Sequence, residues 1–97
     1  RRYSHPLSLL LVAPDHFREV VESHGETFAD EWLHTIAGVC RQESRTTDML
    51  GRVGGDEFAV LLPSTELSGG LVLAERIRER MQRHVFSSQG VRCTLSV

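Results

Sequence analysis

Apolar and polar positions alternate along this chain in a way that separates strands from helices. Leu7 to Ala13 is a nearly continuous apolar run, the pattern of a central strand covered on both faces. Pro14 is expected to stop it. Asp15 is placed to cap a short helix through about Ser23, which Gly25 would end. Phe28, Trp32, Ile36 and Cys40 then recur every fourth residue, with Leu33 and Val39 widening the stripe, as on one face of an amphipathic helix. Met49 to Val53 and Phe58 to Leu62 are short apolar runs suited to two strands. Leu73, Ala74, Ile77 and Met81 mark the inner face of a third helix, and Val91 to Val97 alternates loosely as a last strand.

Between the paired strand runs lies Gly54-Gly55-Asp56-Glu57-Phe58. Two glycines in this setting predict a hairpin whose turn needs positive φ values. Bare glycine backbone lets a ligand approach closely, and its N–H groups can point at a phosphate. Asp56 and Glu57 follow at the strand start as hard oxygen ligands suited to magnesium. The combination points to a metal–nucleotide site on a hairpin.

Composition narrows the picture modestly. The 97 residues suffice for one compact domain, 1–97, with a modest core. A net charge of -2 provides neither a basic field for nucleic acid nor a polybasic membrane anchor. The longest apolar run is too short to span a bilayer, and no signal peptide is visible. Cys40 and Cys93 are isolated on apolar faces and read as buried free thiols, which favours the cytoplasm. His5, His16, His24, His34 and His84 lack ligand spacing and read as surface or boundary residues. The run from Arg76 to Arg83 reads as an exposed helix face paired with Glu75 and Glu79.

The segment Arg52-Val53-Gly54-Gly55-Asp56-Glu57-Phe58-Ala59-Val60-Leu61-Leu62-Pro63 resembles the signature of GGDEF domains, the diguanylate cyclase family. The likeness extends along nearly the whole chain. Pro6 to Leu11 resembles the family's first buried strand, Asp15-His16-Phe17-Arg18 its Asp-x-Phe-Lys step, and Gly25 to Asp30 the following loop and helix start. Leu73 to Arg78 resembles the later helix, and Thr94 to Val97 the start of the Thr-x-Ser-x-Gly strand. This resemblance implies an α/β (α+β) domain of the nucleotide-cyclase palm type, with a central, mainly antiparallel sheet flanked by helices. Against the family pattern the chain starts after an N-terminal helix and stops before the last strand's glycine, so a domain truncated at both ends is expected.

In the family, two GTP-loaded domains join their substrates into cyclic di-GMP, so GTP, magnesium and a homodimer partner are implied. By position, Gly54 and Gly55 make room for phosphates, Asp56 is a metal ligand, and Glu57 lies near the reacting hydroxyl. The Pro14 carbonyl supplies a backbone metal ligand, Asp30 reads guanine, and Arg18 stands for a phosphate-contacting lysine. Two positions depart from the pattern. Ala13 replaces the first-strand metal Asp, and Val21 replaces the guanine-reading Asn, so cyclase activity is expected to be weak or lost. Arg45-Thr46-Thr47-Asp48 matches the family's inhibitory Arg-x-x-Asp site for cyclic di-GMP, supplemented by Arg52. The expectation is therefore a cyclic di-GMP receptor with flanking sensor or effector domains. An active cyclase and a non-catalytic GTP-binding or interaction module are the alternatives. Plainer roles compete at each site: a solvated turn pair for Arg45 and Asp48, a capping box for Thr27 to Asp30, and a hairpin end for Asp56 and Glu57.

Overall fold

The computed structural model describes residues 5–83 and the backbone of 91–96. His84, Val97 and the side chain of Cys93, named above, lie outside the described residues. Elements run in the order β1 (Leu7–Pro14), α1 (Phe17–His24), α2 (Glu26–Glu43), β2 (Met49–Arg52), β3 (Phe58–Pro63), α3 (Leu67–Gln82) and β4 (Val91–Ser96). The strands form one sheet in the order β2-β3-β1-β4, and every described pairing is antiparallel. This is the α+β architecture expected.

Register aligns the core. Leu10 faces Val60 and Val12 faces Phe58 across β1 and β3, so apolar side chains stack on one side of the sheet. Residues from all three helices join them in one cluster: Val20 from α1, Trp32 and Ile36 from α2, and Leu73, Ile77 and Met81 from α3. The α2 stripe is buried as its fourfold spacing predicts. The indole of Trp32 stacks on Phe17 with ring centroids 6.3 Å apart. Its N–H is buried without a hydrogen-bond partner among the described residues.

Four local expectations need correction. β1 is central, but its two faces differ: Ser8, Leu10 and Val12 are buried, whereas Leu9 and Leu11 are half-buried and Leu7 is exposed. The helices contribute to the cluster on the first face, so the apolar run does not mean equal cover on both. Pro14 ends β1 from inside, as its last residue, because a strand's final position can do without an N–H donor. The N-cap position of α1 falls on His16, one residue after the expected Asp15. His16 precedes that helix in the left-handed region, at φ 57°, with no side-chain capping bond. Arg80 leaves the Arg-rich face and crosses to α2, bonding Glu43 at 3.1 Å and Gln42 at 2.7 Å. Arg78 does pair with Glu75, at 2.5 Å.

Gly25 carries the junction between α1 and α2. It closes α1 through an N–H bond to the Val21 carbonyl and precedes α2, with φ 88° and ψ 167°. That region is essentially open only to glycine. Thr27 therefore lies inside α2, not at a cap, and the capping-box alternative for Thr27 to Asp30 is not what the helix uses.

Candidate functional site

The hairpin between β2 and β3 presents the turn at one end of the sheet. Arg52 pairs with Phe58 at the close of the ladder, and the Val53 N–H donates to the Glu57 carbonyl at 2.9 Å. Gly54 and Gly55 are exposed, while Asp56 and Glu57 are half-buried. Neither glycine has positive φ, which corrects the expected reason for their presence. A Cβ at Gly54 would make only ordinary contact with Glu57, at 3.7 Å, and one at Gly55 would meet nothing within 4 Å. The chain's own conformation and packing thus leave both glycines unexplained. What they keep open is space and bare backbone on the solvent side.

Arg52 braces this turn. Its Nε donates to the Gly54 carbonyl at 3.2 Å and its Nη2 donates to the Gly55 carbonyl. The guanidinium carbon lies 6.0 Å from the centroid of the Phe58 ring. The same residue lines a cleft of about 260 Å³ with Phe17, Val21, Glu26, Asp30 and Gly55. The fold therefore brings Val21, Asp30 and the double-glycine turn to one place, as the sequence implied. Asp30 is exposed on α2. Arg18 is exposed on α1 and is not among the residues lining this cleft.

The end of β1 lies beside the turn. The β1–β3 ladder stops at Val12 opposite Phe58, and continuing its count sets Ala13 across from Glu57 and Pro14 across from Asp56. Ala13 is only 7% exposed, and Pro14 is fully buried. At the position where the sequence reading expects a carboxylate, this chain packs a methyl group. Among the described residues no three His, Cys, Asp or Glu side chains group to hold a metal ion. Asp56 and Glu57 are the half-buried carboxylates of the turn, and the expected backbone ligand, the Pro14 carbonyl, belongs to a fully buried residue. They do not by themselves fit a dedicated magnesium site, which requires near-octahedral coordination.

A second constellation forms where α2 runs into β2. The Arg45 N–H donates to Asp48 Oδ2 at 2.8 Å, and the Asp48 N–H donates to the Arg45 carbonyl at 3.0 Å. Arg45 Nη2 reaches Asp48 Oδ1 at 3.2 Å, the Pro63 carbonyl at 3.0 Å and Thr65 Oγ1 at 2.5 Å. Asp48 is consequently only 3% exposed in its side chain, while Arg45 is 57% exposed. This is no loose solvated pair. Asp48 closes the turn, and one nitrogen of Arg45 is held by three acceptors. The N–H groups on Nε and Nη1 have no partner among the described residues.

Thr65, which no sequence motif marks, ties this clasp to the sheet. Its hydroxyl donates to the Pro63 carbonyl at 3.0 Å, and its carbonyl accepts from the fully buried Ser8 Oγ at 2.7 Å. A hollow of about 240 Å³ lies beside the clasp, lined by Arg41, Ser44, Arg45, Thr46, Asp48 and Leu50. Arg52 is not among its lining residues.

The family model described as "Diguanylate cyclase, GGDEF domain" matches residues 1–97. The diguanylate cyclase DgcP of Pseudomonas aeruginosa is 38% identical over 84 residues, covering 87% of this chain and 12% of that protein. The probable diguanylate cyclase DgcT of Escherichia coli K12 is 36% identical over 78 residues, covering 80% of this chain and 17% of that protein. This chain thus spans a small part of the length of these curated relatives. Among solved structures, the active GGEEF domain of a diguanylate cyclase from Vibrio cholerae matches with a TM-score of 0.86 at 28% identity, over 94% of this chain and 61% of that one. On its signature turn, its fold and these relatives, the chain belongs to the GGDEF domain family of the diguanylate cyclases.

Proposed function

We propose that this domain is a receptor for cyclic di-GMP, bound at Arg45 and Asp48, and that its own conversion of GTP to cyclic di-GMP is weak or lost. The observation that carries the reading is the anchored Arg45 guanidinium, whose Nε and Nη1 have no partner among the described residues. With Nη2 anchored, the guanidinium is held in place, and its Nε and Nη1 N–H groups, which point in different directions, can each donate a charge-assisted bond to a phosphate or guanine oxygen. Asp48 serves by fixing the turn and the arginine. Arg52 takes part in the same site only by leaving the carbonyls of Gly54 and Gly55.

The cleft beside the turn supports weak GTP handling. Asp30 can accept from guanine N–H groups, Gly54 and Gly55 leave room for phosphates, and Asp56 with Glu57 supplies carboxylates. Arg18 would add charge from α1. Against these stand the buried Ala13 methyl and the Val21 side chain, which offers no hydrogen bond. Magnesium would then depend on Asp56, the Pro14 carbonyl and the oxygens of GTP itself. The turn is intact, so an active cyclase working as a homodimer remains the second reading. A non-catalytic module that regulates flanking sensor or effector domains is the third. A cytoplasmic setting fits all three, and none of the helices among the described residues is long and apolar enough to cross a membrane.

Calorimetric titration of cyclic di-GMP into this chain and into its Arg45→Ala variant tests the reading. Binding at micromolar Kd or tighter, about -8 kcal/mol, that vanishes in the variant is the expected result. No heat from two folded proteins would overturn it.

A further inference from the structure

The hollow beside the Arg45 clasp contains a second arginine that nothing above has used. Arg41 lies one helical turn before Arg45, in the last turn of α2, and is exposed. It lines the hollow together with Arg45, Ser44, Thr46 and Leu50, and its side chain makes no hydrogen bond or ion pair among the described residues. The one carboxylate lining that space, Asp48, has both oxygens engaged by Arg45. Charge in the hollow is therefore uncompensated: two guanidinium groups face one carboxylate already in use.

We propose that Arg41 is the second cation of a phosphate subsite, taking one phosphate group of a cyclic dinucleotide between its own guanidinium and the unpartnered Nη1 of Arg45. This deepens the receptor reading and rests on it for the identity of the ligand. The chemistry follows from what each group has left to give. Arg45 contributes a guanidinium held in place through Nη2, Arg41 an exposed charge, and Ser44 and Thr46 line the space beside them. The apolar Leu50 beside them can meet the edge of a base. At about 240 Å³ the hollow lies below the roughly 300–1,000 Å³ of complete ligand pockets. It suits one phosphate with part of its nucleoside, the remainder lying outside. A basic residue in a last helical turn also complements the helix dipole. That role alone would make Arg41 indifferent to ligand.

The test follows the arginine side-chain Nε–H signals by NMR in the full chain during separate titrations with cyclic di-GMP and inorganic pyrophosphate. It adds calorimetry on Arg41→Gln and Arg41→Lys. Both ligands are expected to shift the Arg41 and Arg45 signals. Arg41→Gln should weaken cyclic di-GMP binding about tenfold, the size of one charge-assisted contact, while Arg41→Lys recovers part of the loss. Cyclic di-GMP binding that leaves the Arg41 signal unmoved and is unchanged in Arg41→Gln would overturn the subsite and spare the receptor reading. Shifts of both arginines by pyrophosphate, with no cyclic di-GMP binding, would do the reverse. If neither ligand moves Arg41, the subsite is refuted.

Discussion

At the scale of single residues, Arg45 owes its readiness to partners that its motif does not contain. Arg-x-x-Asp in register with the turn was legible in the sequence. The Pro63 carbonyl and Thr65 were not, because they reach Arg45 only after β3 has returned alongside β2. Thr65→Val removes one acceptor from Nη2 and frees the guanidinium to sample other rotamers. Cyclic di-GMP affinity should fall by about 1 kcal/mol, and Thr65→Ser should retain most of it; equal affinity in all three proteins would rule out positioning by Thr65. Glycines sort in the same way. Gly25→Ala forces a side chain into a glycine-only region and should cost about 1–3 kcal/mol in urea unfolding. Gly54→Ala and Gly55→Ala should stay within about 0.5 kcal/mol of the parent, since an added methyl meets open space or ordinary contact. Nucleotide titration of those two variants then reports on the space itself, unclouded by unfolding.

At the scale of elements, periodicity found the helices and strands; most boundaries moved by a residue or so, but α3 begins at Leu67, well before Leu73, the first position its stripe marked. The α2 stripe was the clearest signal because buried positions recur on one side of a long helix. Ile36 is fully buried within it, so Ile36→Ala should cost about 2–5 kcal/mol by chemical denaturation. A much smaller loss would mean that α2 packs more loosely than described. Less was legible where local chemistry competes with topology. Asp15 looked like a cap, yet the chain turns through a left-handed His16 instead. The apolar run of β1 hid the difference between its faces, since leucines occupy the helix-covered side and the half-buried side alike. Arg80 looked like an exposed helix residue because its partners, Glu43 and Gln42, belong to a helix far away in sequence.

At the scale of the whole molecule, the end of β1, the hairpin turn and the α1–α2 corner converge, and two positions there, Ala13 and Val21, are those where the sequence reading expects a carboxylate and an amide. Restoring both, with Ala13→Asp and Val21→Asn, should raise GTP turnover measured with magnesium in a protein able to dimerise. No gain would mean that catalysis was lost elsewhere. The first change has its own signature. A carboxylate at a position only 7% exposed should lower Tm without divalent cation. Added magnesium should recover the loss if Asp56 shares the ion, because binding to the folded state alone stabilises it. The convergence was legible in outline from the motif order. The cleft that joins Val21, Asp30, Arg52 and Gly55 was not, because its walls come from α1, α2 and the hairpin together.

The stacking of Phe17 on Trp32 gives this chain an optical probe of its own cleft. Trp32 is the one tryptophan in the sequence, and it is fully buried with its N–H unpaired among the described residues. Its emission therefore reports one apolar environment. Phe17 stacks on that indole and also lines the cleft beside the double-glycine turn. A base seated in the cleft should thus change the fluorescence without any label, whereas a ligand confined to the Arg41–Arg45 hollow should leave it dark to the event.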